Sequence, residues 1–158
     1  MELENVLIKS IEDIKDIDFV LLSNKFEIIA NEIKNNSNGI VIYGASGTGK
    51  RIYKYLRNKG LKVFAFSDRN ERLWGNNIDG ISILPIKDIC RIYGFNINII
   101  ICVSSFDVQS IYNYVQGFGF NKIYSIPHLI YVIPELFPYT FLNSFLFNLI
   151  NSSIVSPI

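Results

Sequence analysis

The run at 39–51, GIVIYGASGTGKR, constrains the fold of this chain more than any other feature. Its apolar residues at 40–43 are typical of a buried strand, a glycine-rich turn follows at 44–49, and the residues after the turn favour a helix. The first turn of a helix carries unpaired backbone N–H groups and partial positive charge. A strand, a glycine turn and a helix in this order therefore predict a site for an anion such as a nucleotide phosphate.

The glycine turn matches two nucleotide-binding patterns, each of them incompletely. Gly44, Gly49 and Lys50 fit the P-loop of kinases and ATPases, but the next position needs Ser or Thr for Mg²⁺ and holds Arg51. The second pattern is a dinucleotide-type turn, whose glycines allow a tight bend and close approach of the backbone to pyrophosphate. The glycines at 44, 47 and 49 depart from its standard G-x-G-x-x-G spacing. A structural turn without a ligand is the third alternative.

The segment after the turn favours the dinucleotide pattern. It reads as a helix over about 48–59, then Gly60 where a helix C-cap belongs, then a second strand that ends at Asp68. Asp68 lies 24 residues after Gly44, and a carboxylate that binds ribose hydroxyls is expected at an offset of roughly 20 residues. We therefore expect a Rossmann-type turn.

Alternation of strands and helices continues along the chain and predicts an α/β fold. We expect a Rossmann-like parallel sheet of about five strands, with an N-terminal helical extension and a C-terminal hydrophobic helix. The expected divisions are an N-terminal extension at 1–37, the nucleotide-binding domain at 38–126 and a C-terminal hydrophobic segment at 127–158. Ser104 is expected to cap the helix that follows the central strand. The core face of that helix is expected to include Tyr114.

Composition and net charge restrict the fold and the partners that we expect for this chain. The chain has 158 residues, of which 49% are hydrophobic, as expected of one globular domain. A formal net charge of +1 gives no strong field, so we expect neither nucleic acid nor an anionic membrane as a partner. The start of the chain lacks the basic flank of a signal peptide, which predicts a cytoplasmic location. The cysteines are expected to be buried free thiols, and no metal site is expected.

The C-terminal segment carries an unusual apolar stretch. Residues 139–150 include seven large apolar side chains and no charge, but they are too few and too interrupted by polar residues to span a bilayer. A helix of this composition would expose an apolar surface. We therefore expect it to pack against a second copy in a homo-oligomer, or against a catalytic domain missing from this chain.

Residues 38–138 resemble the Rossmann-like nucleotide-binding domain of bacterial surface-glycan enzymes. The resemblance rests on the segments IYGASGTGKRIYKYLRNKGLKV, FSDRN, GISILP, IIICVSSF and IYSIPHL. Such a domain precedes the catalytic part of sugar N-acetyltransferases, where it holds the nucleotide sugar, and of some FkbM-type methyltransferases, and it occurs in polysaccharide-biosynthesis dehydratases. The resemblance implies an accessory or truncated domain of glycan biosynthesis that binds a UDP- or dTDP-linked sugar, or NAD. The chain contains no acetyl-transfer or S-adenosylmethionine site, so the catalytic activities are not implied.

The resemblance also implies which residues contact the ligand. The pyrophosphate would be held by the turn residues Gly44, Ala45, Ser46, Gly47, Thr48 and Gly49. The nucleoside would be met by Asp68, Arg69 and Asn70. The far side of the crevice, at the carboxyl end of a central strand, would be lined by Val103, Ser104 and Ser105.

No catalytic residue follows from the sequence, and whether the chain is an enzyme stays open. Tyr55 and Lys59 have the Tyr-x-x-x-Lys spacing of short-chain dehydrogenases, but they lie on the phosphate-side helix, away from a substrate. His128 is a candidate acid–base group and Trp74 a candidate stacking surface, although a structural role is favoured for both. The alternative functions are an NAD-dependent oxidoreductase or epimerase fragment, and a protein-interaction module with an empty glycine turn.

Overall fold

A computed structural model describes residues 19–35, 37–103, 108–129 and 132–136. Its strands are β1 (Ile40–Tyr43), β2 (Val63–Ser67), β3 (Asn77–Ile78), β4 (Ile81–Leu84), β5 (Asn98–Ile101) and β6 (Ile123–Ser125). Its α-helices are α1 (Phe19–Asn35), α2 (Gly47–Asn58), α3 (Ile86–Tyr93) and α4 (Val108–Gln116). Short 3₁₀ turns lie at Glu71–Leu73, Ile126–Leu129 and Pro134–Leu136. None of the described helices has the length and apolar character needed to cross a bilayer.

The strands form one sheet in the order β3–β4–β2–β1–β5–β6. Every neighbouring pair is parallel except β3 and β4, which are antiparallel. The chain proceeds outward from β1 in one direction through β2 and β4, and then returns to the other side of β1 for β5 and β6. This is a doubly wound, Rossmann-like sheet, and its switch point lies between β1 and β5. The expected α/β class and parallel sheet are confirmed.

Helices cover both faces of the sheet, which explains why β1 and β5 are buried along their whole length. On one face, α1 and α2 bury their apolar stripes, including Ala30, Ile33, Ile52 and Leu56, against Ile42 and Phe66. On the other face, α3 and α4 pack Ile86, Ile89, Ile111 and Val115 against Val41, Ile99 and Ile101. Tyr114, which we expected on the core face of α4, is 44% exposed instead. Its ring contacts Phe118 edge-on, with the centroids 5.2 Å apart.

An antiparallel hairpin adds β3 to the sheet, which therefore has six strands where about five were expected. Ile78 pairs with Ile81 across the two-residue turn Asp79-Gly80. Both turn residues have positive φ, 51° for Asp79 and 84° for Gly80, as the type I′ turn of a tight hairpin requires. The Asp-Gly dipeptide is the local signal that predicts such a turn, and it accounts for the sixth strand.

Two polar contacts join distant segments to the sheet layers. The Tyr124 hydroxyl on β6 donates a hydrogen bond to the Glu32 carboxylate of α1 over 3.0 Å. Burial and this bond to Glu32 raise the pKa of Tyr124 above its usual range. Lys59, just after α2, forms an exposed ion pair with Glu135 of the last described turn. The apolar stretch 139–150, on which we based the expected oligomer or missing domain, lies outside the described residues.

Candidate functional site

The strand register brings three loops together at one edge of the sheet. Tyr43, the last residue of β1, is level with Ser67 of β2 and with Ile101 of β5. The next residue of each strand therefore begins a loop at the same height: Gly44, Asp68 and Cys102. Because this edge is the carboxyl end of parallel strands beside the switch point, it is where open α/β sheets bind their ligands.

Gly44 makes the turn after β1 possible. Its φ of +116° lies in the region that residues with a Cβ rarely adopt. Its N–H donates to the Ser67 carbonyl over 2.7 Å, and a Cβ placed on it would lie 2.8 Å from the Cys102 carbonyl oxygen. The backbone at the end of β1 is thus wedged between the ends of β2 and β5, and only glycine fits there.

Gly49 lets helix α2 approach the end of β1. A Cβ on Gly49 would lie 1.8 Å from the Gly44 carbonyl oxygen, far inside any allowed contact. Gly44 and Gly49 therefore fill the first and last positions of G-x-G-x-x-G, with Ser46 at the middle one. Gly47 is different, because no atom of the described residues lies within 4 Å of a Cβ built there. The described part of the chain therefore leaves the space beside Gly47 open.

The same geometry removes the basis for the P-loop interpretation. A P-loop wraps its backbone around phosphates between the first glycine and the lysine. Here α2 already begins at Gly47, so most of that segment is helical. Arg51 is exposed on the helix and occupies the position where a P-loop needs a hydroxyl.

The start of α2 presents backbone donors that the described residues do not satisfy. Ser46 is the N-cap, with φ −82° and ψ −171°, yet its side chain makes no capping hydrogen bond. The first turn contains no acidic residue. Within the described part of the chain, no acceptor takes the N–H groups of Ser46, Gly47, Thr48 or Gly49. A helix start without a side-chain capping bond and without a carboxylate keeps its partial positive charge for a ligand.

Asp68 connects the turn after β1 with the loop after β2. Its Oδ2 accepts the Ala45 N–H over 2.8 Å, and its Oδ1 accepts the Asn70 N–H over 2.9 Å. Its backbone carbonyl accepts the indole N–H of Trp74 over 2.8 Å. Each carboxylate oxygen can accept a second hydrogen bond, so the side chain retains capacity for a ligand hydroxyl. The contact with Ala45 was not predicted from the sequence.

The neighbours of Asp68 serve their own loop. The Asn70 side chain accepts the Arg72 N–H over 3.1 Å and so caps the short 3₁₀ turn. Trp74 is half-buried against the core on the α2 side, with its N–H bonded to Asp68. Arg69 is exposed beside them. On the opposite side of the crevice Val103 is half-buried after β5, while Ser104 and Ser105 lie outside the described residues.

The sequence candidates for catalysis do not meet at this edge. Tyr55 packs against the core and Lys59 pairs with Glu135 at the far end of α2. His128 follows β6, which lies two strands from β1, about 10 Å across the sheet. The His128 Nδ1 accepts the Ser125 N–H over 3.0 Å, and burial lowers the pKa of its ring. The histidine thus caps the turn that follows β6, the outermost strand on that side of the described sheet.

The thiols are not arranged for metal binding. Cys102 is fully buried at the end of β5, and burial raises the pKa of its thiol well above the usual range. Cys90 is half-buried on α3. In the described segments, no three His, Cys, Asp or Glu side chains are grouped to hold a metal ion.

Comparison with known proteins gives similarity to solved structures only. No family model matches the chain, and no curated protein matches it significantly. A crystal structure of RSP, a Rex-family repressor, aligns at 20% identity and a TM-score of 0.45, over 69% of this chain and 61% of that one. The structure of RSP with β-NADH aligns at 20% identity and a TM-score of 0.44, over 69% of this chain and 62% of the repressor chain. The structure of RSP with β-NAD+ and operator DNA aligns at 16% identity and a TM-score of 0.43, over 73% of this chain and 62% of the repressor chain.

The chain spans less than two thirds of these repressor chains, and the likeness concerns the fold. We carry neither ligand nor partner over from it. The expected link to surface-glycan enzymes, FkbM-type methyltransferases and acetyltransferases finds no support in the comparisons.

The exclusion of nucleic acid as a partner is wrong as an inference from net charge, and RSP, which is similar in fold, is bound to operator DNA in one of these structures. A net charge of +1 is an average over the whole surface and says nothing about one face. Helix α2 shows this directly, because it carries four exposed cations, Lys50, Arg51, Lys54 and Arg57, and no acid.

Proposed function

We propose that this chain binds a nucleotide through its diphosphate, with NAD(H) as the leading ligand. The observation that carries the proposal is the row of N–H groups from Ser46 to Gly49, which have no acceptor among the described residues and lie beside the open space at Gly47. Such a row at a helix start is suited to an anion that brings several acceptor oxygens. Lys50, exposed in the same turn of helix, supplies a nearby positive charge.

The placement of Asp68 supports a nucleotide rather than a bare phosphate. It stands at the end of the strand next to β1 and keeps free acceptor capacity for ribose hydroxyls. In a doubly wound sheet, a dinucleotide crosses the switch point, with its adenosine on the β2 side and its second nucleoside on the β5 side. Asp68 would then meet the adenosine ribose, and Val103 would border the other half.

A nucleotide sugar is the second candidate, and the sequence resemblance at the glycine turn favours it. Its diphosphate would use the same N–H groups. NAD(H) leads because the strand order and the carboxylate after β2 are both features of dinucleotide-binding sheets. We propose binding without catalysis, since Tyr55, Lys59 and His128 lie away from the turn.

Ligand-induced stabilisation tests the proposal. A ligand at a hundred times its Kd stabilises the folded state by about 2.7 kcal/mol, which should raise Tm by roughly 5–10 °C in a chain of this size. The thermal shift is measured with NAD+, NADH, a UDP-sugar and ATP. Gly47→Val places a branched side chain in the open space and should abolish the shift, whereas Asn58→Val, at the other end of α2, should retain it. No shift with any of these ligands would contradict the proposal.

A further inference from the structure

The Asp68 carboxylate is engaged by the protein's own backbone. Its two oxygens accept N–H groups from two different loops, Ala45 after β1 and Asn70 in its own loop. We propose that Asp68 is a positioning residue that holds the glycine turn in the shape that binds a diphosphate. The inference rests on the proposed function and adds to it, because it gives Asp68 a role in binding a part of the ligand that it does not touch.

Burial of the turn makes this bond necessary. Ala45 is only 5% exposed, and a buried backbone N–H without an acceptor is costly. The Asp68 carboxylate is the acceptor that the fold supplies. Its orientation is fixed in turn by Asn70, and its backbone by the Trp74 indole. With the Ala45 N–H directed at Asp68, the N–H groups from Ser46 onward remain for the ligand.

The positioning role has an electrostatic signature of its own. A carboxylate beside an anion site repels the anion, so its removal alone should strengthen the binding of a ribose-free anion. If Asp68 shapes the turn, its removal should weaken that binding instead. The two roles therefore predict opposite signs for one measurement, and inorganic pyrophosphate is the probe because it has no ribose for Asp68 to contact.

The experiment compares pyrophosphate affinity in the parent chain, Asp68→Ala, Asp68→Asn and the control Glu71→Ala, by isothermal titration. Glu71 is exposed in the same loop, so the control removes the same charge without the Ala45 bond. We expect roughly tenfold weaker binding for Asp68→Ala, in keeping with loss of a charge-assisted hydrogen bond. Asp68→Asn keeps one acceptor oxygen and should recover most of the affinity. The control should bind as tightly as the parent or more tightly.

The Ala45 amide signal in ¹H–¹⁵N spectra separates failure of this inference from failure of the proposed function. In Asp68→Ala this amide proton should move upfield as its acceptor is lost, while amides at the far end of α2 stay in place. Equal or tighter pyrophosphate binding by Asp68→Ala, or an unmoved Ala45 amide, overturns the positioning role alone. Failure of the parent chain to bind pyrophosphate overturns the proposed function and the positioning role with it.

Discussion

Substitution of Gly49 by alanine tests the packing that brings α2 to the end of β1. The added Cβ would lie 1.8 Å from the Gly44 carbonyl oxygen, about 1.6 Å short of ordinary contact at 3.4 Å. The clash is with backbone, so no side-chain rotation relieves it, and α2 must shift by more than 1 Å. Such a shift disturbs Ile52 and Leu56, which are buried on the same helix. Overpacking of a core costs about 1–3 kcal/mol and occasionally more, and we place Gly49→Ala at the upper end.

The matched control is Gly47→Ala, in the same turn of the same helix. An added Cβ there meets no atom of the described residues within 4 Å, and alanine in place of a helical glycine stabilises by about 0.4–1 kcal/mol. For a chain of this size we expect Gly49→Ala to lower Tm by roughly 6–12 °C and Gly47→Ala to raise it by about 1–4 °C. Circular dichroism melting measures both. A Tm for Gly49→Ala within 2 °C of the parent would refute the reasoning.

The other predictions concern the turn, the ribose site and the edge histidine. Gly44→Ala puts a Cβ on a residue with a φ of +116° and against the Cys102 backbone. Urea denaturation should therefore show a free energy of unfolding lower by about 2 kcal/mol or more. Unchanged stability would contradict the strained turn. NADP+ should bind at least roughly tenfold more weakly than NAD+, because Asp68 repels a 2′-phosphate. Asp68→Ala should weaken the binding free energy of NAD+ by about 1–3 kcal/mol. Equal affinities of NAD+ and NADP+, or of the variant and the parent for NAD+, measured by calorimetry, would contradict the ribose role. Burial lowers the pKa of His128, so the unfolded chain binds its proton first and stability falls as pH drops below about 6.5. His128→Gln should flatten that part of the stability–pH curve, and an unchanged slope would contradict burial as the cause.

Local signals in the sequence were sufficient to predict the centre of this fold, which consists of β1, the glycine turn and α2. The apolar run of β1, the glycine turn and the stripe of α2 are contiguous, so a strand, a turn and a helix could be predicted there. Gly60, expected at the C-terminus of that helix, has a φ of +74° and follows the cap residue Lys59. The Asp79-Gly80 dipeptide is an equally local signal for the hairpin, and the expectation of about five strands did not include it.

The contacts that shape the site depend on register between strands, which one sequence does not specify. The Ala45–Asp68 bond exists because Tyr43 is level with Ser67, and this pairing joins residues more than twenty positions apart. Spacing alone also suggested that Gly44, Gly47 and Gly49 act together. Only the packing separates Gly44 and Gly49, which the turn needs, from Gly47, which borders open space.

The face of α4 that meets the sheet is a tertiary property as well. Ile111 and Val115 are buried, as the apolar pattern predicts, but Tyr114 lies on the exposed side. An aromatic ring extends the apolar stripe of a helix without showing where the stripe ends. The position of His128 depends on tertiary structure too, because it follows β6, the outer strand of the described sheet, and so lies away from the switch point.

Amide chemical shifts during addition of NAD+ show whether the glycine turn binds a nucleotide. We expect the largest changes at Ser46, Gly47 and Thr48, whose N–H groups have no acceptor within the described chain. Smaller changes should appear at Asp68, and none at the far end of α2. Saturable shifts confined to these positions would support a diphosphate site at the glycine turn. If NAD+, ADP and a UDP-sugar all leave the amides of Ser46, Gly47 and Thr48 unmoved at millimolar concentration, the claim that this turn binds a nucleotide is wrong.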